Sequence, residues 1–224
     1  MAAARYIPSL GFRFLNPFYD FVMKLVSPEM EFKTSLLAQA GIQAGSRVLD
    51  LGCGTGTLTI LIKRTQPGAE VSGLDGDAEI LEIAAEKIAK AGLSINLDEA
   101  LAGDMPYPDA SFDRVLTSLL LHHLTRTDKF SALKEIFRVL KPGGELHIAD
   151  IGKPDTILMR LVSLALWNFE ESADNYRGFI PDMCEKAGFI KTRITGRYST
   201  AFGTLALYKA VKPAPAKHDR EKPA

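Results

Sequence analysis

An α/β fold with a mostly parallel central sheet, covered by helices on both faces, is what this sequence predicts. Two observations carry the prediction. Short apolar runs bounded by glycine alternate along the chain with segments whose apolar residues recur at helical spacing, the pattern of repeated strand–helix units. A glycine-rich turn also follows the first of those runs and opens the first core helix. The last third adds two consecutive strand-like runs that close the sheet.

Each element has its own signal. Residues 46–51 are short and apolar between Gly45 and Gly52, as a buried parallel strand should be. Residues 57–66 read as a helix stopped by Pro67-Gly68. Residues 70–74 form a second strand. Asp77 is suited to cap a helix running to Gly92, with Ile80, Ile83, Ala84, Ile88 and Ala91 on one face and the Glu86–Lys90 pair outside. Residues 95–101 and 112–118 are the third and fourth strands. A helix at 128–140 places Phe130, Leu133, Phe137 and Leu140 at helical spacing and ends at Lys141-Pro142-Gly143-Gly144. The fifth strand is 145–151. A helix at 175–188 ends at Gly188, and strands at 189–198 and 201–210 form a hairpin around Ser199-Thr200. Residues 211–224, rich in proline and charge, read as a disordered tail.

Composition narrows the function classes. A chain of 224 residues with 46% hydrophobic content suits one domain with one large core. Net charge is zero, which argues against nucleic acid as the partner of the whole surface. No apolar run approaches the roughly 20 residues needed to span a bilayer. The first ten residues carry only Arg5 as a charge and no unbroken apolar core, so no secretory leader is expected. Cys53 and Cys184 have neither metal nor disulfide spacing and suit a reducing, cytoplasmic setting.

The chemistry concentrates in Asp50-Leu51-Gly52-Cys53-Gly54-Thr55-Gly56. Glycines let a backbone approach a ligand closely, and ligands of open α/β sheets sit beyond the carboxyl ends of the strands. A dinucleotide fingerprint needs glycine at position 57, where Thr57 stands, so a nicotinamide oxidoreductase is disfavoured. The opposing reading is a tight turn with no ligand.

This stretch resembles the first motif of class I S-adenosylmethionine-dependent methyltransferases. The resemblance continues in register through Asp75 at the end of the second strand. It runs on through Gly103-Asp104-Met105-Pro106-Tyr107-Pro108-Asp109 with Ser111-Phe112-Asp113, through Leu121-His122-His123-Leu124, and through Arg138-Val139-Leu140-Lys141-Pro142-Gly143-Gly144. It spans about residues 46–151 and is closest to the branch that holds the ubiquinone and menaquinone biosynthesis methyltransferases. What it implies is a Rossmann-like fold with a seven-stranded, mostly parallel sheet whose last strand is antiparallel. It further implies S-adenosyl-L-methionine as cofactor and methyl transfer to a small lipophilic acceptor that is quinone-like, phenolic or lipid.

Residue by residue, the resemblance sets Gly52, Cys53, Gly54 and Gly56 against the amino-acid end of the cofactor and Asp50 near its ammonium group. Asp75 then accepts from the ribose hydroxyls, Asp104 from the adenine amino group, and the N–H of Met105 meets the adenine ring. Gly76 and Leu119 complete the cofactor-binding set. Cys53 reads as a small hydrophobe in a packed loop rather than a reactive thiol. His122 and His123 stand where the substrate pocket of the family begins, and an imidazole titrating near pH 6.5 is able to deprotonate a substrate hydroxyl. The competing reading is a pair of loop histidines capping a turn. No metal ligand set is expected.

Residues 1–45 crowd Tyr6, Phe12, Phe14, Phe18, Tyr19, Phe21 and Phe32 with Met23 and Met30. They read as a helical lid over a lipophilic substrate, with a core-packing helix or a helix in peripheral contact with a membrane as alternatives. Trp167, within the apolar stretch 157–169, reads as core helix or pocket wall. A nucleic-acid amino-methyltransferase would show an Asn/Asp-Pro-Pro-aromatic tetrad where Ser118-Leu119-Leu120-Leu121 stands. A protein substrate and a non-catalytic cofactor-binding protein remain as the other readings.

Overall fold

The strand–helix alternation builds one sheet. In the computed structural model, the described residues are 29–160, 173–200 and 203–215. The aromatic segment before Glu29, Trp167 and residues 216–224 lie outside them. Among the described residues the order is helix α1 (Glu29–Ala40), strand β1 (Arg47–Leu51), α2 (Thr57–Thr65), β2 (Glu70–Asp75), α3 (Ala78–Lys90), β3 (Asn96–Glu99) and β4 (Phe112–Ser118). A 3-10 turn (Leu121–His123), α4 (Arg126–Val139), β5 (Leu140–Ile151), α5 (Ala173–Arg177), α6 (Ile180–Lys186), β6 (Ile190–Thr200) and β7 (Gly203–Val211) follow.

Seven strands of the described residues pair in the order β3-β2-β1-β4-β5-β7-β6. Strands β1 to β5 run parallel, while β7 lies antiparallel between β5 and β6. The order reverses direction between β1 and β4, the position where an open α/β sheet leaves a crevice for ligands.

Successive strand residues feed opposite faces, as the period of two demands. Leu49, Leu51, Val115, Leu146 and Ile148 join Leu133, Ile136 and Val139 of α4 and Ile180, Met183 and Cys184 of α6 in one core layer. Val48, Val71, Leu116, Ala149 and Leu207 join Phe32, Leu36 and Leu37 of α1 and Leu58 and Ile62 of α2 in the other. Phe32, assigned above to a lid, is instead wholly buried core, packed with Leu36 against the sheet. Burial of such side chains contributes roughly 1.5–3 kcal/mol each, which fixes α1 to the sheet.

Several boundaries differ from the sequence reading, each for a physical reason. The helix expected over 175–188 is two short helices. Gly178 takes φ +79°, the N–H of Phe179 returns to the carbonyl of Asp174, and Pro181 starts the second helix. Strand β5 starts at Leu140, not 145, because Lys141-Pro142-Gly143-Gly144 already lies in the sheet: Gly143 donates to the carbonyl of Lys212, and Lys212 to that of Gly144. Those bonds also place Val211 and Lys212 in the ordered body rather than in a tail. Helix α4 starts earlier than expected because Thr125 caps it, accepting from the N–H of Asp128 at 3.2 Å. In α3, Leu81 is buried instead of Ile83, and Asp77 caps it by accepting from Glu79 and Ile80.

Candidate active site

The three glycines after β1 differ in what surrounds them. Gly52 and Cys53 donate to the carbonyl of Leu74 at 2.7 and 3.0 Å, which bolts the loop to β2. Gly52 has φ +70°, and a Cβ there would stand 2.9 Å from Leu120. A Cβ on Gly56 would stand 3.3 Å from Ala84, so that glycine lets α2 approach α3. Gly54, with φ +52°, is different: a Cβ would meet nothing within 4 Å among the described residues. Cys53 is buried with its sulfur 3.0 Å from where a Cβ of Gly73 would lie, and burial pushes its thiol well above the ordinary range. It packs; it does not react.

Two carboxylates flank this loop. Asp75, at the end of β2, accepts from the N–H of Gly54 at 2.9 Å through Oδ2 and from that of Asp77 at 3.1 Å through Oδ1. Burial raises its pKa, while the N–H donors of Gly54, Asp77 and neighbouring Gly76 pull the other way. Asp50 is wholly buried and accepts the Thr59 hydroxyl of α2 at 2.6 Å. Burial raises it to about 6, against the lowering pull of the Thr59 bond and of the Lys33 ammonium. Lys33 of α1 is itself paired with Glu29 at 2.6 Å. Carboxylates held above their ordinary pKa favour a ligand that brings positive charge or hydroxyl donors. With the space at Gly54 that the described residues leave open, these two acceptors fit the ammonium and ribose hydroxyls of S-adenosylmethionine.

In the loop before β4 the backbone of Met105 departs from the sequence reading. Asp104 is exposed, but Met105 is buried and its N–H donates to Glu135 of α4 at 3.0 Å. That N–H is therefore engaged by a carboxylate and is not directed at an adenine ring in this structure. Arg138 explains why. Its guanidinium binds Glu135 and donates to the carbonyls of Met105 and Tyr107 and to Asp109, clamping residues 105–109 onto α4.

Beyond β4, Leu119 takes φ +59° and donates to the carbonyl of Ala149 at 2.8 Å. A left-handed non-glycine residue costs roughly 1–2 kcal/mol, and here the bond to β5 at the carboxyl end of the strands accompanies it. The chain then turns so that the two histidines diverge in role. Nδ1 of His122 lies 2.9 Å from Oδ1 of Asp150, at the end of β5. Asp150 is wholly buried and also accepts from the N–H groups of Leu121 and Ile151, each at 2.7 Å, and from the amide of Asn175 in α5 at 3.0 Å. Burial would raise its carboxyl, but the His122 ring and those N–H groups prevail and hold it below the usual range. His123 shows no such bond to an acid among the described residues: burial and the adjacent His122 push it down to about 3 against the raising pull of Asp150, which favours a neutral ring.

The structure thus brings Asp50, Gly52, Cys53, Gly54, Gly56, Asp75 and Gly76 together at the ends of β1 and β2. Leu119 and His122 lie across the strand-order reversal, at the ends of β4 and β5. Met105 belongs to the loop clamped by Arg138, with exposed Asp104 just before it, and the chain ahead of them adjoins β2 through the bond from Ala100 to the carbonyl of Asp75. Sequence reasoning missed Thr59, Asp150, Asn175 and the Glu135–Arg138 clamp. Only Arg138 had a signal, as the first residue of the Arg-Val-Leu-Lys-Pro-Gly-Gly motif. Among the described residues no cluster of metal-ligating side chains occurs, and no helix is long and apolar enough to cross a membrane.

Comparison with known proteins agrees with this geometry. The family model described as "Methyltransferase domain" matches residues 48–144. Demethylmenaquinone methyltransferase of Thermus thermophilus is 35% identical, over 62% of this chain and 64% of that protein. Ubiquinone/menaquinone biosynthesis C-methyltransferase UbiE of Pseudomonas paraeruginosa is 31% identical, over 87% of this chain and 84% of that protein. Among solved structures, a SAM-dependent methyltransferase from Methanosarcina mazei superposes with a TM-score of 0.65 at 20% identity, covering 80% of this chain and 97% of that one. Haemonchus contortus phosphoethanolamine N-methyltransferase 2, solved with S-adenosyl-L-methionine, gives 0.64 at 20% identity, covering 82% and 52%. At such identities the superpositions establish the fold.

Proposed function

The chain belongs to the class I S-adenosylmethionine-dependent methyltransferases, and on that premise we propose that it methylates a ring carbon of a quinone-derived lipid in its reduced, hydroxylated form. The observation that carries this reading is the alignment with a quinone-biosynthesis C-methyltransferase along 87% of the chain. Structure supports a lipophilic acceptor: the chain leaving β5 presents Ile157 and Leu158, 78% and 64% exposed, beyond the strand end where Asp150 stands.

Bound S-adenosylmethionine supplies a sulfonium methyl, an electrophile that needs no metal. The chain's residues do the rest. Gly54 gives the amino-acid end room, Asp75 offers its carboxylate to the ribose hydroxyls, and Asp50 places negative charge below the loop. Alignment of donor and acceptor across the β1–β4 crevice is the main catalytic contribution of such a site, since fixing reactants is worth up to roughly 7–11 kcal/mol. The acceptor has to be reduced because an oxidised quinone ring is electron-poor, whereas a hydroquinone ring carries electron density at carbon ortho to its hydroxyl.

Incubation of the purified protein with methyl-labelled cofactor and a 2-polyprenyl-1,4-naphthoquinone is the test, with and without dithionite. Carbon-bound label should enter the lipid only in the reduced arm. Label on nitrogen of an amine lipid, with none on the quinol, would overturn the reading.

A further inference from the structure

We propose that His122 and Asp150 form the base that takes the proton from the acceptor's hydroxyl, with Asn175 holding Asp150 in position. The proposal rests on the hydroxylated ring acceptor argued above and adds the residues that activate it.

The arrangement has the parts a general base needs. A buried carboxylate at 2.9 Å accepts from Nδ1, so the neutral ring carries its hydrogen there and presents its basic lone pair at Nε2. The ring is anchored at the end of β4 next to the end of β5, opposite the glycine loop across the strand-order reversal. A methyl donor held over β1 and β2 therefore has its acceptor on the His122 side. Asp150 is oriented by three further donors, from Leu121, Ile151 and Asn175, more than are needed to tie down a turn. Among the described residues, the charged and titratable groups around the pair are His123 in the same turn with ring centroids 4.0 Å apart, Lys129 of α4 beside His123, and Tyr176 of α5 and Tyr208 of β7 beside Asp150.

The step balances. The hydroxyl proton passes to Nε2 of His122, and the ring carbon forms its bond to the methyl as the sulfur–methyl bond breaks. The ring hydrogen at that carbon then leaves as a proton, aromaticity returns, and the oxygen recovers a proton from His122. One proton is released per methyl transferred, with no oxidant or reductant consumed.

The opposing account is that Asp150 merely pins the Leu121–His123 turn. His122→Gln and Asp150→Asn separate the two, assayed on the full chain with the reduced naphthoquinol. Melting temperature and calorimetric affinity for S-adenosylhomocysteine accompany each assay. The proposal expects kcat to fall about 10²-fold or more for His122→Gln and at least about tenfold for Asp150→Asn. It expects cofactor affinity within about twofold of wild type, and loss of the acidic limb of the pH–rate profile in His122→Gln. If Asp150→Asn does not fold, His122→Gln decides alone. An unchanged kcat and pH profile in His122→Gln would overturn the base while leaving the acceptor reading intact. A wild-type protein inert towards the quinol but active on an amine, with His122→Gln equally active, would overturn both. A wild type inert towards the quinol and towards simple phenols and naphthols would do the same.

Discussion

At Asp50 the local chemistry makes a pH prediction. The unfolded carboxyl titrates near 3.8 and the folded one at about 6, because burial outweighs the Thr59 bond and the Lys33 charge. The folded chain therefore holds this proton more tightly than the unfolded chain. Its contribution is most favourable below about pH 4, declines as pH rises from about 4 to about 6, and is flat above that. The span corresponds to at most about 3 kcal/mol. Asp50→Asn should flatten that part of the stability–pH curve, measured by urea unfolding at pH 4.5 and 7. Equal slopes in wild type and variant would place the titration elsewhere. A cation arriving beside Asp50 reverses the penalty, so affinity for S-adenosylhomocysteine should rise from pH 5 to 7 in the wild type and not in the variant.

Among the elements, α4 does more than pack. Its buried face of Ala132, Leu133, Ile136 and Val139 meets the sheet, while Glu135 and Arg138 on its flank hold residues 105–109. Arg138→Ala removes two carbonyl contacts and the Asp109 bond, and frees Glu135. The side chain is 31% exposed, so solvent screening lowers the expected cost to about 1–2 kcal/mol. Urea unfolding should show that loss, and protease cleavage within 105–109 should accelerate; an unchanged cleavage rate would mean that the clamp is dispensable. The sequence shows α4 through its apolar spacing but not the clamp, because Glu135 and Met105 are 30 residues apart and meet only once α4 has packed. Asp50, Gly54 and Asp75 were legible although Gly54 and Asp75 are 21 residues apart, because each stands in the motif series that resembles the methyltransferase family. The Asp150–His122–Asn175 network was not, since no motif joins β5, α5 and the 3-10 turn after β4, which meet only in the folded sheet. The break at Gly178 was missed because a single glycine ends a helix only when its neighbours find other bonds, here Phe179 to Asp174.

On the scale of the whole molecule, the sheet order decides where chemistry happens. Strands β1, β2, β4 and β5 run parallel and end on one side, and the reversal between β1 and β4 opens a crevice there. The glycine loop and Asp75 stand on one flank of it, and Leu119 and the His122–Asp150 pair on the other. On the reading proposed here, the glycine loop and Asp75 form the cofactor site. The most direct test is calorimetric titration of S-adenosylhomocysteine into wild type, Gly54→Ala and Asp75→Ala, with melting curves on the same samples. A methyl at Gly54 meets no atom of the described residues, so its folding cost should stay near the roughly 1 kcal/mol of a left-handed alanine while it intrudes on the proposed ligand space. Loss of the Asp75 carboxylate removes charge-assisted hydrogen bonds worth about 1.5–3 kcal/mol. The predicted result is one site in the wild type and affinity about 10- to 100-fold weaker in each variant, with the fold retained. Wild-type affinity in both folded variants would contradict it and place the cofactor elsewhere.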